Sequence, residues 1–236
     1  MIGKVINEKK IYLSAAILVA SLIFGIFIRK QSGLSFEPKI MNFAQNLTDN
    51  FTFYIFKSFT ILGNFSTYFL ILAISLYYSK RIGKNSFFSI TLISCLIGLV
   101  VMNVYKYSFV RVRPLDFFKI EQGGYSYVSG HSLVSTSFYF TLSYLLCSLK
   151  NYKFIYLRII PFVIAFSRLV VGVHWLTDVF FGMLVGYVCY LATIFVAEKY
   201  IIKSKKKILM NYKFIFMVHF LLEVSYYTFE LGWYKI

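Results

Sequence analysis

Residues 154–197 read FIYLRIIPFVIAFSRLVVGVHWLTDVFFGMLVGYVCYLATIFVA. Two apolar runs, each near the ~20 residues needed to cross a hydrocarbon core, stand back to back. Among the polar residues that interrupt them are Ser167-Arg168 and the string His174-Trp175-Leu176-Thr177-Asp178. An unpaired arginine at membrane depth costs at least ~2.5 kcal/mol, so Arg168 has to face a polar cavity or a partner. The stretch therefore predicts two membrane spans, 154–173 and 176–197, with charged chemistry at the corner between them.

Further apolar runs at 11–28, 60–78, 87–105 and 132–149 extend this pattern to six spans. Composition agrees: 59% hydrophobic, 21% aromatic and 14% charged residues, at a mean hydropathy of +0.70, give more apolar surface than a soluble domain of 236 residues can bury. The fold class expected is all-α, a polytopic membrane protein built as a six-transmembrane-helix bundle. Residues 1–236 read as a single membrane domain, with a body over about 55–197 and then a basic segment and apolar tail over 198–236. The first run follows Lys4, Lys9 and Lys10, and Arg29-Lys30-Gln31-Ser32 offers no small-residue cleavage site, so it reads as a retained anchor. Cys95, Cys147 and Cys189 fall inside the predicted spans, where packing is their expected role.

Between the first two spans, Ile40, Phe43, Leu47, Phe51 and Tyr54 recur at steps of three and four, with polar residues between them. This spacing predicts an amphipathic helix lying in the outer interface. In the apolar stretch 214–229, His219 and Glu223 stand one helical turn apart, a weak metal-pair signal read as packing or solvation.

A net charge of +16 raises the question of nucleic acid, and the positions of the basic residues answer it. Of 25 Lys and Arg, 14 fall at Lys4, Lys9, Lys10, Lys80, Arg81, Lys84, Lys150, Lys153, Lys199, Lys203, Lys205, Lys206, Lys207 and Lys213. In a six-span chain these share one side, which the positive-inside rule makes the cytoplasm. The partners expected are the bilayer and its anionic headgroups, not nucleic acid. With the N-terminus inside, Lys106, Arg113, His131, Arg168, His174 and Asp178 all gather on the outer face.

These residue types suit phosphate chemistry. Arg113 and Arg168 can each grip two phosphate oxygens, and Lys106 adds a compact point charge. Ser129 and Gly130 precede a predicted helix start, where hydroxyl, backbone N–H groups and the helix dipole favour an anion. His174 and Asp178 are four apart, so the carboxylate can fix the ring tautomer and leave the other nitrogen to attack phosphorus. His131 can protonate the leaving oxygen and later activate water. The cations are built in, so neither metal nor cofactor is expected. Arg111, read with Lys106 and Arg113, can also be a snorkelling rim.

The strings Lys106-x6-Arg113-Pro114, Ser129-Gly130-His131 and Ser167-Arg168-x5-His174-x3-Asp178 resemble those of the type 2 phosphatidic acid phosphatase (PAP2) superfamily, its bacterial branch in particular. The resemblance covers about residues 55–197. It implies a lipid phosphatase of the bacterial cytoplasmic membrane with an extracytoplasmic site. His174 is then the phosphohistidine nucleophile, Asp178 its partner and His131 the acid, while Lys106, Arg113, Ser129, Gly130 and Arg168 hold the phosphate. Implied substrates are undecaprenyl diphosphate, phosphatidylglycerophosphate, phosphatidic acid or a lipid A phosphate. A non-catalytic lipid-phosphate binding or transport protein is the competing class. Val128 stands where the family usually has proline, which would pre-set the loop backbone.

Overall fold

A computed structural model describes residues 7–81, 83, 86–149 and 152–202. The 214–229 stretch, with His219 and Glu223, lies outside the described residues, as do Lys4, Lys84, Lys150 and the basic run from Lys203. Among the described residues the regular structure is helical throughout: α1 (Glu8–Phe27), α2 (Glu37–Asn46), α3 (Asn50–Ile61), α4 (Phe65–Arg81), α5 (Ser86–Phe109), α6 (Gly130–Cys147), α7 (Ile160–Val170) and α8 (Leu176–Val196). Short 3₁₀ segments at Leu115–Phe117 and Tyr152–Ile159 lie before α6 and α7.

Three of these helices, over Glu8–Phe27, Ser86–Phe109 and Leu176–Lys199, are long and apolar enough to cross a membrane. The pair α3 and α4 makes a fourth if counted as one span, though it bends by 51°. The expected span 154–173 is a composite instead. Pro161 sits in the first turn of α7, where its missing N–H costs nothing, and the residues before it wind as 3₁₀ helix. Helix α6 has only 18 residues and is rich in Ser and Thr. Its hydroxyls are buried: Ser94 and Ser137 lie 2.9 Å apart across α5 and α6, and Thr141 donates to Ser94 at 3.0 Å. Such bonds replace lipid contact with contact between helices.

The periodic pattern over residues 40–54 also divides. The Asp49 side chain accepts from the Thr52 backbone N–H at 2.8 Å, which starts α3 as a new helix. On α2 the buried stripe is Glu37, Met41 and Ala44, while Phe43, Leu47, Phe51 and Tyr54 remain exposed.

Helix α6 is the centre of the bundle and packs most extensively on α8, then on α5 and the Tyr152–Ile159 segment, and after these on α7. Gly182 and Gly186 permit this closeness, because a Cβ on Gly186 would lie 2.4 Å from the Leu133 carbonyl oxygen. Helix α1 is peripheral: Ser21 and Gly25 are its buried residues. It is held by Ser21, whose hydroxyl lies 2.6 Å from that of Tyr105 and whose carbonyl accepts from Tyr127 at 2.7 Å.

Candidate active site

Four helix ends meet at one end of this bundle. Lys106 occupies the last turn of α5, Gly130 and His131 open α6, Arg168 lies in the last turn of α7, and Asp178 in the first turn of α8. Loop backbones fasten the ends together. Ser129 N–H donates to the Asp178 carbonyl at 3.0 Å, Ser126 N–H to Arg111 at 2.9 Å, and Lys119 N–H to Val171 at 3.1 Å.

His174 hangs in the turn between α7 and α8 and is 1% exposed. Gly172, two residues earlier, makes that turn possible. Its φ is +78°, and a Cβ there would fall 1.8 Å from the Phe117 carbonyl oxygen. On one side of the ring, Nε2 lies 3.2 Å from an Arg113 guanidinium nitrogen. Arginine can only donate, so Nε2 carries a lone pair and the ring proton belongs on Nδ1. The expected direct bond from Nδ1 to Asp178 is longer than a hydrogen bond, at 3.7 Å. Ser126 bridges the gap: its Oγ lies 3.4 Å from Nδ1 and donates a very short bond to Asp178 Oδ2. Burial, and after it the charge of Arg113, with Arg168 and Lys106, holds the His174 imidazole well below its ordinary value of 6.5.

The cations stand where loop carbonyls orient them. Arg113 donates to Gly124 at 2.7 Å and to Val173 at 2.7 Å. Lys106 donates to the Tyr125 carbonyl at 2.9 Å, and Arg168 to Gln122 Oε1 at 2.8 Å. The charges of Arg168, Lys106 and Arg113 reach both imidazoles. His131 Nε2 lies 2.9 Å from Asn64 Oδ1, at the corner between α3 and α4. Ser129 is buried as the N-cap of α6, its Oγ facing Ser132 N–H and accepting from the Ser132 hydroxyl at 3.1 Å. Gly130 brings the backbone against Met102, whose sulfur would lie 2.3 Å from a Cβ.

Sequence reasoning passed over several residues. Ser126, Asn64 and Gln122 carry no spacing signal of their own. Arg111 is no snorkelling rim; it is fully buried, donating to Asp178 at 2.5 Å and to Glu37 at 2.6 Å. One clue was available: in an oily chain with nine Asp and Glu, an acid away from the basic side needs a partner, and Glu37 is such an acid.

Fold and site together define a multi-span helical membrane protein with a cation-rich end built from helix termini. Residues 87–201 match the model of the PAP2 superfamily. An undecaprenyl-diphosphatase from Sulfolobus acidocaldarius is 34% identical over 100 residues, covering 40% of this chain and 47% of that protein. The chain thus aligns with about half the length of that curated relative. The crystal structure of a transmembrane PAP2 type phosphatidylglycerolphosphate phosphatase from Bacillus subtilis superposes with a TM-score of 0.69 at 22% identity, covering 80% of this chain and 98% of the other. LpxE from Aquifex aeolicus superposes with a TM-score of 0.54 at 19% identity, covering 68% and 96%. These two likenesses speak for the fold.

Proposed function

We propose that this protein is a lipid phosphatase that hydrolyses a phosphate monoester or diphosphate headgroup through a phosphohistidine. The observation that carries the reading is the orientation of His174: Nε2 faces Arg113, while Nδ1 faces Ser126 and, beyond it, Asp178. A phosphoryl group held by Arg113, Arg168 and Lys106 would meet a lone pair. Ser129 and Gly130, at the N-terminus of α6, contribute the helix dipole to the same anion.

In the first step the Nε2 lone pair attacks phosphorus and the P–O bond to the lipid breaks. The departing oxygen takes a proton from His131. Water then gives its proton to His131 and attacks phosphorus, the P–N bond breaks, and inorganic phosphate leaves with His174 neutral again. Charge spreads over the equatorial oxygens in both steps, which is where the two guanidinium groups and the ammonium act. No metal takes part in this scheme, and a chelator should leave the rate unchanged.

The substrate class is an amphiphile. Exposed apolar side chains clothe α1 to α4, and exposed Phe43 and Leu47 on α2 favour an approach from lipid. We place undecaprenyl diphosphate first, then phosphatidylglycerophosphate, phosphatidic acid and lipid A phosphates. In this reading the chain crosses the cytoplasmic membrane six times, with its N-terminus inside, its site outside and α2 and α3 in the outer interface. The bias of Lys and Arg supports that orientation.

Phosphate release by the purified protein in detergent, across a panel of these lipids, is the test. His174→Ala is expected to lower release by at least ~10³-fold while the protein stays folded. Turnover retained by that variant removes the nucleophile. Tight lipid binding without release by the unaltered protein would make it a binding or transport protein.

A further inference from the structure

Two arginines stand two residues apart, and they face different worlds. Arg113 turns to His174, whereas Arg111 turns both terminal nitrogens to carboxylates. The side chains of Glu37, Arg111 and Asp178 are all 0% exposed. Glu37 is fully used: Oε2 accepts from Arg111 at 2.6 Å and from Leu34 N–H at 2.7 Å, and Oε1 accepts from Thr177 N–H at 3.0 Å and from its hydroxyl at 2.7 Å. Arg111 also donates to the Thr177 hydroxyl at 2.8 Å, and its guanidinium carbon lies 5.8 Å from the Trp175 ring centre. Just before it, Val110 has φ +54°, a left-handed conformation that a β-branched residue rarely adopts. That turn directs Arg111 inward as the chain leaves α5.

We propose that Glu37 and Arg111 are positioning residues for His174. On this view, which rests on the phosphatase reading above, the Glu37–Arg111–Asp178 chain of ions holds the Asp178 carboxylate in one orientation. Arg111 occupies Oδ1, so Oδ2 is left to Ser126 and the Trp175 N–H, which it accepts at 2.9 Å. Oδ2 then lies nearest His174 Nδ1, where positive charge develops as Nε2 bonds to phosphorus. An Asp178 without Arg111 would be a buried carboxylate lacking its counter-ion, free to rotate or to take up a proton. Glu37 fixes Arg111 in turn, and because Glu37 belongs to α2, the seating of that helix on α7 and α8 reports on the nucleophile. Neither residue touches the phosphate, so their effect should appear in kcat and leave KM alone.

Four variants test this: Glu37→Gln, Glu37→Asp, Arg111→Lys and Arg111→Gln, each checked for folding by thermal melting in detergent. Glu37→Gln and Arg111→Lys are expected to lose roughly 10- to 100-fold in kcat with KM within about twofold of the unaltered protein. Glu37→Asp, which keeps the charge, should recover part of that loss. The chain has three histidines, so imidazole nitrogen NMR can follow His174 directly. The unaltered protein should show Nδ1 protonated and Nε2 bare, and Arg111→Gln a mixture of tautomers. Unchanged kcat with an unchanged His174 spectrum in folded variants overturns the proposal, as does a loss carried by KM alone. If the unaltered protein releases no phosphate from any lipid, the phosphatase reading fails on its own, and the NMR comparison still decides whether Glu37 and Arg111 orient His174.

Discussion

Helices α1 and α6 are nearly the same length, at 20 and 18 residues, yet they are opposite kinds of helix. Within the apolar window of α1, 17% of residues are buried, and Ile11, Leu13, Val19, Ile23 and Phe27 face outward. Helix α6 buries most of its side chains and carries Ser132, Ser135, Thr136, Ser137, Thr141 and Ser143 inside. The more hydrophobic helix is thus the outer one. In a bilayer apolar surface faces lipid, and hydroxyls and small residues collect where helices touch. The site grows from the second kind, at the end of the α6–α8 seam.

Disturbing the seam should therefore cost far more than disturbing α1. The largest effect is expected at its loop, where Gly172→Ala adds a Cβ at a positive φ and against the Phe117 carbonyl. Displacing His174 by about an ångström should lower kcat/KM by roughly 10²-fold in a lipid phosphatase assay. Next, Gly186→Val drives a branched side chain into the Leu133 carbonyl, and denaturation in detergent should record a loss of about 3 kcal/mol.

Acidity separates the regions in another way. Burial and the neighbouring cations hold the pKa of His174 well below the ordinary imidazole value, so its neutral form, the nucleophile of the proposed scheme, survives as pH falls through 6.5. The acid limb of kcat/KM should lie below that pH, with less than about a twofold fall between pH 7.5 and 6.5. The same shift has a stability counterpart: the unfolded chain takes up a proton near 6.5 that the folded chain refuses, so stability declines as pH drops below it. A limb centred at or above 6.5 would contradict the buried, cation-flanked placement of this ring.

The smallest effects test the contrast most directly. Ser137→Ala removes the contact with Ser94 and should cost about 0.6 kcal/mol. Ile23→Ala on the outward face of α1 should change stability by less than about 0.5 kcal/mol. A larger loss at Ile23 than at Ser137 would reverse the assignment of inside and outside.

How legible this was in the sequence depended on how local each cause is. The helical class and the runs 11–28, 87–105 and 176–197 follow from hydropathy, which is written along the chain. The breaks do not. Asp49 as a cap and Pro161 as a helix start are local signals, but the apolar residues around them masked both. The 51° bend between α3 and α4 depends on partners far away in sequence. For the site, Lys106, Arg113, His131, Arg168, His174 and Asp178 could be picked out because ionic residues are rare in so apolar a chain. Ser126 could not, since one more serine among many has no distinguishing pattern until the fold sets it between His174 and Asp178. Glu37 and Arg111 were visible as charges, but their pairing spans 74 positions and needs the packing of α2 against α8.

The contact between Asn64 and His131 works as a gauge. Asn64 belongs to the corner joining α3 to α4, while His131 belongs to the first turn of α6. Their 2.9 Å separation therefore measures how tightly that corner is shut against the central helix. A splaying of roughly one ångström takes the pair past hydrogen-bond range and lets the imidazole swivel. A bulky acyl or prenyl chain wedged beneath the elbow would loosen the ring to which the proposed scheme gives the leaving group's proton.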